Sequence, residues 1–230
     1  MQDVLNNSLT AIIVAGGSSS RMGFDKIFAN IGDITVIEYS INAFLECNSV
    51  NEVIVVINEK SVQKIKDVIS DTNRGKKIRI CTGGKSRRDS VTNGLETVEE
   101  RTEYVAVHDG ARPWIRPAQI EKVFESAIKY GAAVSARPIT DTIKRCDPEG
   151  VIIQSINRKA LWAMETPQIF KTELLKRAYK KAIIEDQQVT DEVSAIELIG
   201  KPVRVVHDSF KNPKITFPDD LKAQDLIHNN

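Results

Sequence analysis

Short runs of apolar, mostly β-branched residues recur along the chain and alternate with stretches whose apolar residues are spaced as on a helix face. Unbroken apolar runs are typical of strands covered on both faces, and they lie at 11–15, 53–57, 78–81, 104–108, 132–136 and 203–207. Helical spacing is found at 36–45, at 62–69 after a possible cap at Ser61, and at 120–128 between Pro117 and Gly131. The order predicts an α/β fold with a mainly parallel sheet and helices on both faces.

Residues 142–146 and 151–156 interrupt this alternation and predict a β-hairpin. They flank the sequence DPEG, in which Pro148 and Gly150 suit the second and last positions of a type I turn. A two-stranded ribbon is marginally stable alone in water, so its isoleucines must pack on the parent domain or on a second copy. We predict a single domain over residues 1–230 with a projecting β-arm over about 139–158, and a homodimer.

Charge and composition exclude two classes of partner. The 230 residues include 32 Lys plus Arg and 31 Asp plus Glu, for a formal charge of +1. Such a chain lacks the broad positive field of a protein that binds nucleic acid or a membrane surface, so we expect neither partner. A phosphate-bearing partner should therefore be a small molecule.

The cysteines and the apolar runs indicate a cytoplasmic protein. Cys47, Cys81 and Cys146 are far apart, without a C-x-x-C pair or a His at zinc spacing, and are typical of reduced thiols. The sequence contains no stretch of the roughly 18–20 apolar residues that cross a bilayer. The start MQDVLNNSLT also lacks the basic and then apolar order of a signal peptide.

Ligands of open α/β sheets bind at the carboxyl ends of the strands, which directs attention to three loops. The first, AGGSSSRMGFDK, runs from Ala15 to Lys26. Gly16 and Gly17 allow the backbone to approach a ligand closely, and Arg21 and Lys26 suit phosphate oxygens. A strand-to-helix turn with solvated charges is the alternative. Neither the P-loop pattern nor the dinucleotide-binding glycine pattern is present, which disfavours both of those functions.

The second loop, TGGKSRRDSVTNGL, runs from Thr82 to Leu95. It predicts a turn at Gly83 and Gly84 followed by a helix that Asp89 or Ser90 caps. A simple capped helix entry is one interpretation. The other is an anion site at the helix start, formed with the basic residues Lys85, Arg87 and Arg88.

The third loop, VHDGARP, follows the apolar run at 104–108. Asp109 stands at the end of a rigid strand, where a carboxylate can hold Mg²⁺, although an ordinary turn before Gly110 is the alternative. His108 points away from Asp109 if the strand continues, so we interpret it as structural. Arg112 can face the same ligand as Asp109.

Further motifs are weak singly, and residues 190–192 (TDE) suit a helix cap as readily as a binding site. Taken in order, however, AGGSSSRMG, GGKSRRDSV, HDGARP, DTIKR, TPQ, TDE and NPKIT resemble the 2-C-methyl-D-erythritol 4-phosphate cytidylyltransferase family of non-mevalonate isoprenoid biosynthesis. The resemblance covers nearly the whole chain. It implies a Rossmann-like three-layer αβα fold with a dimerising β-arm. The segment RMGFDK by itself also resembles molybdenum cofactor nucleotidyltransferases.

The resemblance implies a reaction of CTP with 2-C-methyl-D-erythritol 4-phosphate that gives the CDP-alcohol and pyrophosphate, with Mg²⁺ as cofactor. For the nucleotide it implies three groups of residues. The triphosphate would be held by Ala15, Gly16 and Gly17, with Arg21 and Lys26 stabilising the transition state. The cytidine pocket would be lined by Gly84, Ser90 and Gly110. Asp109 would lie between nucleotide, metal and second substrate.

For the methylerythritol phosphate the resemblance implies binding by Asp109, Arg112, Thr142, Arg158, Thr166, Thr190 and Lys214. Thr142 and Arg158 would reach into the partner subunit's site. The implied catalytic residues are Arg21, Lys26, Arg158 and Lys214. The chain departs from the family in a shorter loop before Lys26, in Gly110 where Ala is common, and in Pro213 beside Lys214.

The chemistry is coherent without a catalytic His or Cys. The attacking phosphate monoester is already ionised at neutral pH, so that no general base is needed. A cytidylyltransferase for another polyol phosphate such as ribitol 5-phosphate is a near alternative, since phosphate-binding residues say little about the carbon skeleton. A non-catalytic nucleotide-binding module is an alternative of another class, and a nicotinamide dehydrogenase is disfavoured by the missing glycine pattern.

Overall fold

A computed structural model of the protein describes residues 8–17, 23–70 and 75–222. The strands, in chain order, are β1 (Leu9–Val14), β2 (Asn30–Ile31), β3 (Ile34–Thr35), β4 (Val50–Ile57), β5 (Lys77–Thr82), β6 (Tyr104–Asp109), β7 (Ala132–Pro138), β8 (Ile143–Cys146), β9 (Ile152–Ile156), β10 (Trp162–Lys171) and β11 (Arg204–Val206). The α-helices are α1 (Val36–Glu46), α2 (Val62–Ser70), α3 (Arg87–Thr97), α4 (Pro117–Tyr130), α5 (Thr172–Ile184) and α6 (Glu192–Leu198). Short 3₁₀ helices occupy Lys26–Phe28, Glu59–Ser61 and Pro218–Lys222.

The central sheet has seven strands in the order β11-β7-β10-β6-β1-β4-β5. Its pairs are parallel except for those of β10, which runs antiparallel to β6 and β7. The predicted α/β fold with a mainly parallel sheet is thus confirmed. Chain order changes direction at β1, where β4 lies on one side and β6 on the other, and ligands of open sheets bind outside such a point.

Both faces of the sheet are covered because successive side chains of a strand point to opposite sides. In β1, Ile13 packs on the side of α1 and α4 with Ile37 and Phe44. Its neighbour Ile12 packs on the other side among residues of α3 and α5, including Val91 and Leu175. The unbroken apolar run of the sequence therefore has the meaning predicted for it, a strand buried on both faces.

Helix boundaries agree with the predicted signals at α4 and differ at α2 and α3. Pro117 is in the first turn of α4, and Gly131 ends the helix with φ at +84°, a left-handed conformation that favours glycine. The prediction of a Ser61 cap was wrong. Asn58 caps the 3₁₀ turn before α2, and its side chain accepts the Ser61 N–H. This occurs because a 3₁₀ turn separates β4 from α2.

The predicted hairpin is present as β8 and β9, which pair antiparallel in a sheet of their own. Gly150 N donates to Asp147 O at 3.1 Å, as in the expected turn, and Gly150 has φ at +87°. Val151, Ile152 and Ile153 are each more than 60% exposed. The arm therefore has apolar side chains that are not covered by other described residues. The assignment of residues 1–230 to a single domain stays a prediction.

No helix in the described part of the chain is long and apolar enough to span a membrane.

Candidate active site

A cavity of about 840 Å³ lies at the carboxyl edge of the sheet, around the end of β1. Its walls come from the segments that follow β1, β4, β5 and β6 and from the C-terminal segment that carries Lys214. The cavity includes Ala15, Gly16, Gly17, Lys26, Gly84, Ser90, Asp109 and Lys214 among its lining residues. Eight of the residues singled out in the sequence are thus brought together from four separate segments.

The first glycine loop follows β1 directly. Ala15 N donates to Val56 O at 2.8 Å, so the loop begins as a continuation of the sheet. Gly16 and Gly17 then form part of the cavity wall. Arg21, the predicted transition-state cation of this loop, lies outside the described residues.

Lys26 lies at the start of a 3₁₀ turn on the cavity wall. Its Nζ donates to the carbonyl of Ile215 at 2.7 Å, so the side chain connects the first loop to the C-terminal segment. The shorter loop of this chain therefore still places a lysine at the site. This lysine also supports the segment on which Lys214 lies.

The second glycine loop is held by serines. Ser90 Oγ accepts the Gly84 N–H at 3.1 Å and donates to Ser86 O at 2.9 Å. The N-cap prediction for α3 was wrong: Ser86 caps the helix and Asp89, in the third helical position, completes the capping box. The sequence SRRDS offers three capping side chains, and the helix begins at the first of them.

Steric crowding explains why position 84 in this loop is a glycine. A Cβ on Gly84 would lie 2.3 Å from the Asp89 Cβ and 3.1 Å from the Asp89 carbonyl carbon, so the backbone would have to move. We expect Gly84→Ala to lower the free energy of unfolding by about 1–3 kcal/mol and to weaken CTP binding. Urea denaturation and titration calorimetry measure the two effects.

Gly17→Ala is the matched control for stability, since an added Cβ there meets no described atom within 4 Å. Equal stability of the Gly84→Ala and Gly17→Ala variants would contradict the steric argument.

Asp109 lies at the end of β6 and faces three cationic side chains. Lys214 Nζ is 2.9 Å from Oδ2, Arg112 Nε is 3.4 Å from Oδ2, and Arg87 Nη2 is 3.4 Å from Oδ1. Burial alone would raise the pKa of Asp109, but the charges of Lys214, Arg87 and Arg112 outweigh it and hold this pKa well below its usual range. Asp109 is therefore a carboxylate throughout the physiological pH range.

His108, interpreted from the sequence as structural, is linked to the Asp109 backbone through Thr166. It is fully buried, its Nδ1 is 3.0 Å from the Thr166 hydroxyl, and that hydroxyl accepts the Asp109 N–H at 3.1 Å. The other ring nitrogen, Nε2, is 3.2 Å from the carbonyl of Arg112, which requires it to donate. Burial lowers the pKa of His108 to about 4, so the ring is neutral at pH 7.

This shift predicts a pH-dependent stability. An unfolded His binds a proton near pH 6.5, whereas the folded His108 does so near pH 4, so protons bind preferentially to the unfolded chain between these values. We expect the free energy of unfolding to fall by about 3 kcal/mol as the pH drops through this window, and to lose no more through His108 below it. Urea denaturation as a function of pH measures this dependence.

The His108→Phe variant should lack that part of the pH dependence of the unfolding free energy, whether the variant is more or less stable than the wild type. The His207→Phe variant, changed at an exposed histidine, should retain it. If the unfolding free energy changes with pH equally in the wild type and in His108→Phe, the pH dependence does not come from His108.

The C-terminal segment that carries Lys214 is fixed by contacts behind the cavity. Arg112 Nη1 donates to Asn212 O at 2.8 Å, and Asn212 Nδ2 donates to Thr166 O at 2.9 Å. Ile215 N donates to Ala111 O at 2.8 Å. The contacts on both sides of Pro213 hold the segment, so the departure at this position leaves Lys214 at the site.

The predicted acceptor residues fall into three places. Lys214 and Asp109 line the cavity, while Arg112 and Thr166 bind Asp109 from behind it. Thr190 is exposed and borders a second cavity of about 400 Å³. Two further residues, Thr142 and Arg158, are exposed at the base of the β-arm, where β8 begins beside the end of β9, and neither is among the residues that line the two cavities.

Gly110, predicted to line the cytidine pocket, is buried behind the wall of the first cavity. Its N–H donates to Val14 O at 2.9 Å, and a Cβ there would lie 2.8 Å from Ile37 Cδ1 and 3.1 Å from the Ala15 Cβ. A larger residue would therefore require these side chains to move. Close packing under the first glycine loop accounts for glycine at this position.

Sequence reasoning missed the partners of Arg87. Arg87 Nη1 is 2.5 Å from Glu192 Oε1, although the two residues are 105 positions apart. The TDE motif proves to be mainly a helix start, since the Asp191 side chain caps α6 and Glu192 is the first residue of the helix. A signal in the sequence would have been the helical spacing that puts Glu192 on the same face as the apolar residues Ala195 and Ile196.

Asp109 is the residue whose chemistry suits Mg²⁺. Proteins hold this ion through one or two carboxylates together with substrate phosphates, and the described cavity wall contains two acidic residues, Asp109 at a strand end and the exposed Glu59. No group of three His, Cys, Asp or Glu side chains that could hold a metal ion occurs among the described residues. These residues suit a metal that a nucleotide brings with it, rather than one held by a cluster of protein ligands.

Comparison with known proteins agrees with this geometry. The family model described as 2-C-methyl-D-erythritol 4-phosphate cytidylyltransferase matches residues 9–229. The chain belongs to this family. A cytidylyltransferase of that name from Dehalococcoides mccartyi is 35% identical over 97% of each chain, and one from Caldanaerobacter subterraneus is 37% identical over 96% of this chain and 98% of the relative.

Solved structures of the family have the same fold. The 4-diphosphocytidyl-2C-methyl-D-erythritol synthase of Anaerococcus prevotii superposes with a TM-score of 0.84 at 28% identity, covering 95% of both chains. The 2-C-methyl-D-erythritol 4-phosphate cytidylyltransferase of Francisella tularensis gives 0.79 at 27% identity, covering 95% of this chain and 98% of that one. The resemblance seen in the ordered motifs is confirmed, and the chain is a nucleotidyltransferase of the cytidylyltransferase family.

Proposed function

We propose that the protein transfers the cytidylyl group of CTP to 2-C-methyl-D-erythritol 4-phosphate, in the cytoplasm and as a step of non-mevalonate isoprenoid biosynthesis. The products are 4-diphosphocytidyl-2-C-methyl-D-erythritol and pyrophosphate. The observation that carries the proposal is the cavity beside a glycine-lined strand end, whose wall includes Asp109 and the cations Lys26, Lys214 and Arg87. Family membership supports this acceptor over ribitol 5-phosphate.

The reaction is a displacement at phosphorus. An oxygen of the acceptor phosphate forms a bond to the α-phosphorus of CTP, and the bond from that phosphorus to the bridging oxygen of the β-phosphate breaks. Pyrophosphate leaves with the electron pair. The acceptor oxygen is already anionic at neutral pH, so the protein need not remove a proton.

The contribution of the protein is then alignment and charge. Negative charge builds on the non-bridging oxygens of the α-phosphate and on the leaving pyrophosphate, and preorganised cations stabilise it. Lys26 and Lys214 line the same cavity, and Lys26 Nζ is bound to the carbonyl of Ile215, the residue after Lys214. We assign both lysines to this role, together with Arg21 on the strength of its place in the sequence of the first loop.

The nucleotide is proposed to lie along the first two loops. Ala15, Gly16 and Gly17 would bind the triphosphate, because residues with a small side chain or none let its oxygens come close to the backbone N–H groups. Gly84 and Ser90 would take the cytidine from the other wall of the cavity. Mg²⁺ would be held mainly by the triphosphate with Asp109 as its protein ligand, and when bound it would neutralise charge on the phosphates.

We also propose a homodimer formed through the β-arm. Support comes from Val151, Ile152 and Ile153, three adjacent apolar side chains exposed on a two-stranded ribbon. Thr142 and Arg158 lie at the base of this arm and do not line the cavity of their own chain. In the dimer they would bind the acceptor phosphate in the partner's site.

An acceptor screen tests the function. Purified protein is incubated with CTP and Mg²⁺ and with methylerythritol phosphate, ribitol 5-phosphate or erythritol 4-phosphate, and pyrophosphate release and the CDP-alcohol are measured. We expect the highest kcat/KM with methylerythritol phosphate. A higher value with ribitol 5-phosphate would overturn the acceptor assignment, and CTP binding without any turnover would overturn the enzymatic one.

A further inference from the structure

Arg87 connects two carboxylates at the edge of the cavity. Its guanidinium is 2.5 and 3.1 Å from the two oxygens of Glu192 and 3.4 Å from Asp109 Oδ1. Arg87 is the first residue of α3, and Glu192 is the first residue of α6. A bidentate pair thus fixes the orientation of the guanidinium and directs one of its nitrogens at Asp109.

Burial of Glu192 has a free-energy cost, because a charged carboxylate is removed from water. It is 0% exposed, and the Tyr179 hydroxyl donates to its Oε1 at 2.9 Å. A buried ion pair is often no more stabilising than apolar residues of similar volume. The Arg87–Glu192 pair is therefore weakly explained by stability alone.

The backbone of Glu192 is fixed as well. The side chain of Gln168, fully buried on β10, accepts the N–H groups of Glu192 and Val193 at 3.1 and 3.2 Å. Its amide nitrogen donates to Asp191 Oδ2 at 3.1 Å. The start of α6 is thereby attached to the central sheet, and Glu192 provides a rigid anchor for Arg87.

Arg87 and Lys214 differ in how freely they can leave Asp109. The Lys214 side chain is 39% exposed, whereas that of Arg87 is 24% exposed and bound by two contacts to Glu192. When Lys214 turns to a substrate phosphate, Asp109 loses its shortest contact. Arg87 cannot follow without leaving Glu192, so it remains in contact with Oδ1 of Asp109, while Arg112 remains 3.4 Å from Oδ2.

We propose that Arg87, anchored by Glu192, is a positioning residue that holds the Asp109 carboxylate in place for the acceptor while Lys214 engages phosphate. The proposal rests on the cytidylyl transfer proposed above. Arg87 acts through Asp109, and because Mg²⁺ would be held mainly by the triphosphate, removal of Arg87 should impair use of the acceptor more than use of CTP. The Arg87–Glu192 pair would then serve the geometry of the reaction.

A double-mutant cycle tests this coupling. The pair is replaced as Arg87→Met/Glu192→Met, which leaves no unpaired buried charge, in the wild type and in the Asp109→Asn background. We expect the pair replacement to fold, by circular dichroism and thermal melting, and to lose roughly 10- to 100-fold in kcat/KM for methylerythritol phosphate, with a smaller change for CTP. In the Asp109→Asn background the same replacement should add little further loss.

The pair Arg79 and Glu52 provides a matched control. It is also bidentate, through Nε and Nη2 of Arg79 with contacts of 2.6 and 2.7 Å, on β5 and β4, and it does not line the described cavity. Arg79→Met/Glu52→Met should keep wild-type kinetics whatever its melting temperature. If the Arg87 pair does not fold without its charges, Arg87→Lys, which keeps the charge but not the bidentate contact, should show the same selective loss for the acceptor.

Two outcomes would overturn the inference. Wild-type kinetics in the folded Arg87→Met/Glu192→Met or Arg87→Lys variant would make the pair purely structural. If the pair replacement lowers kcat/KM by the same factor in the Asp109→Asn background as in the wild type, Arg87 acts on the substrate directly rather than through Asp109. Absence of turnover in the wild type would instead refute the proposed function, so the two failures are distinguishable.

Discussion

Replacing Lys214 by methionine is expected to lower kcat with CTP and methylerythritol phosphate by roughly 10²- to 10³-fold. The Lys214 Nζ is 2.9 Å from Asp109 and faces the cavity from a segment that hydrogen bonds hold in place. Methionine keeps most of the aliphatic length and removes the charge. The loss should therefore come from transition-state stabilisation, which steady-state kinetics measures, while circular dichroism checks the fold.

Lys211→Met is the matched control for this prediction. Lys211 is exposed on the same segment, three residues before Lys214, and does not line the described cavity. Its variant should keep wild-type kcat. A Lys214→Met enzyme as fast as the Lys211→Met enzyme would remove Lys214 from the catalytic set.

Arg158→Ala is expected to lower activity by roughly 10²-fold, and mixing it with Lys214→Met should restore activity. In a hybrid dimer, the subunit with the intact Lys214 receives the intact arm of its partner. Arg158 is exposed, its Nη1 donates to the Thr140 carbonyl, and it lies off the cavity of its own chain. After unfolding and refolding an equal mixture, roughly one quarter of wild-type activity should return if dimers form at random.

The control is Arg145→Ala, the same change at an exposed arginine of β8. It should be active alone. If the mixture of the Arg158 and Lys214 variants stays as inactive as its components, Arg158 does not act in the partner's site, and sedimentation then shows whether the dimer itself is absent.

The strands that position the site could be predicted because burial on both faces leaves a strong sequence signal. The runs that became β1, β4 and β6 are nearly all apolar, and each ends where the cavity begins. β10 gave no such signal. Its ten residues mix polar and apolar types, since Trp162 is exposed at one end while Gln168 is buried for its hydrogen bonds to the start of α6.

The site was predictable as a set of loops and less so as a set of contacts. Gly84 and Asp109 could be singled out because glycines and a carboxylate follow apolar strands. The pairing of Arg87 with Glu192 could not, because these residues are far apart in sequence and meet only when α3 and α6 are packed on the same sheet. Charge patterns along a chain report local partners, whereas buried pairs depend on tertiary packing.

The most direct test of cytidylyl transfer is the dependence of pyrophosphate release on the phosphate of the acceptor. Purified protein is incubated with CTP, Mg²⁺ and either 2-C-methyl-D-erythritol 4-phosphate or 2-C-methyl-D-erythritol, and pyrophosphate and CDP-alcohol are measured over time. We predict equal amounts of both products with the phosphorylated acceptor and neither product with the free alcohol. Two results would contradict a displacement in which the anionic acceptor attacks CTP. One is release of pyrophosphate at the same rate with both compounds, and the other is no release with either of them.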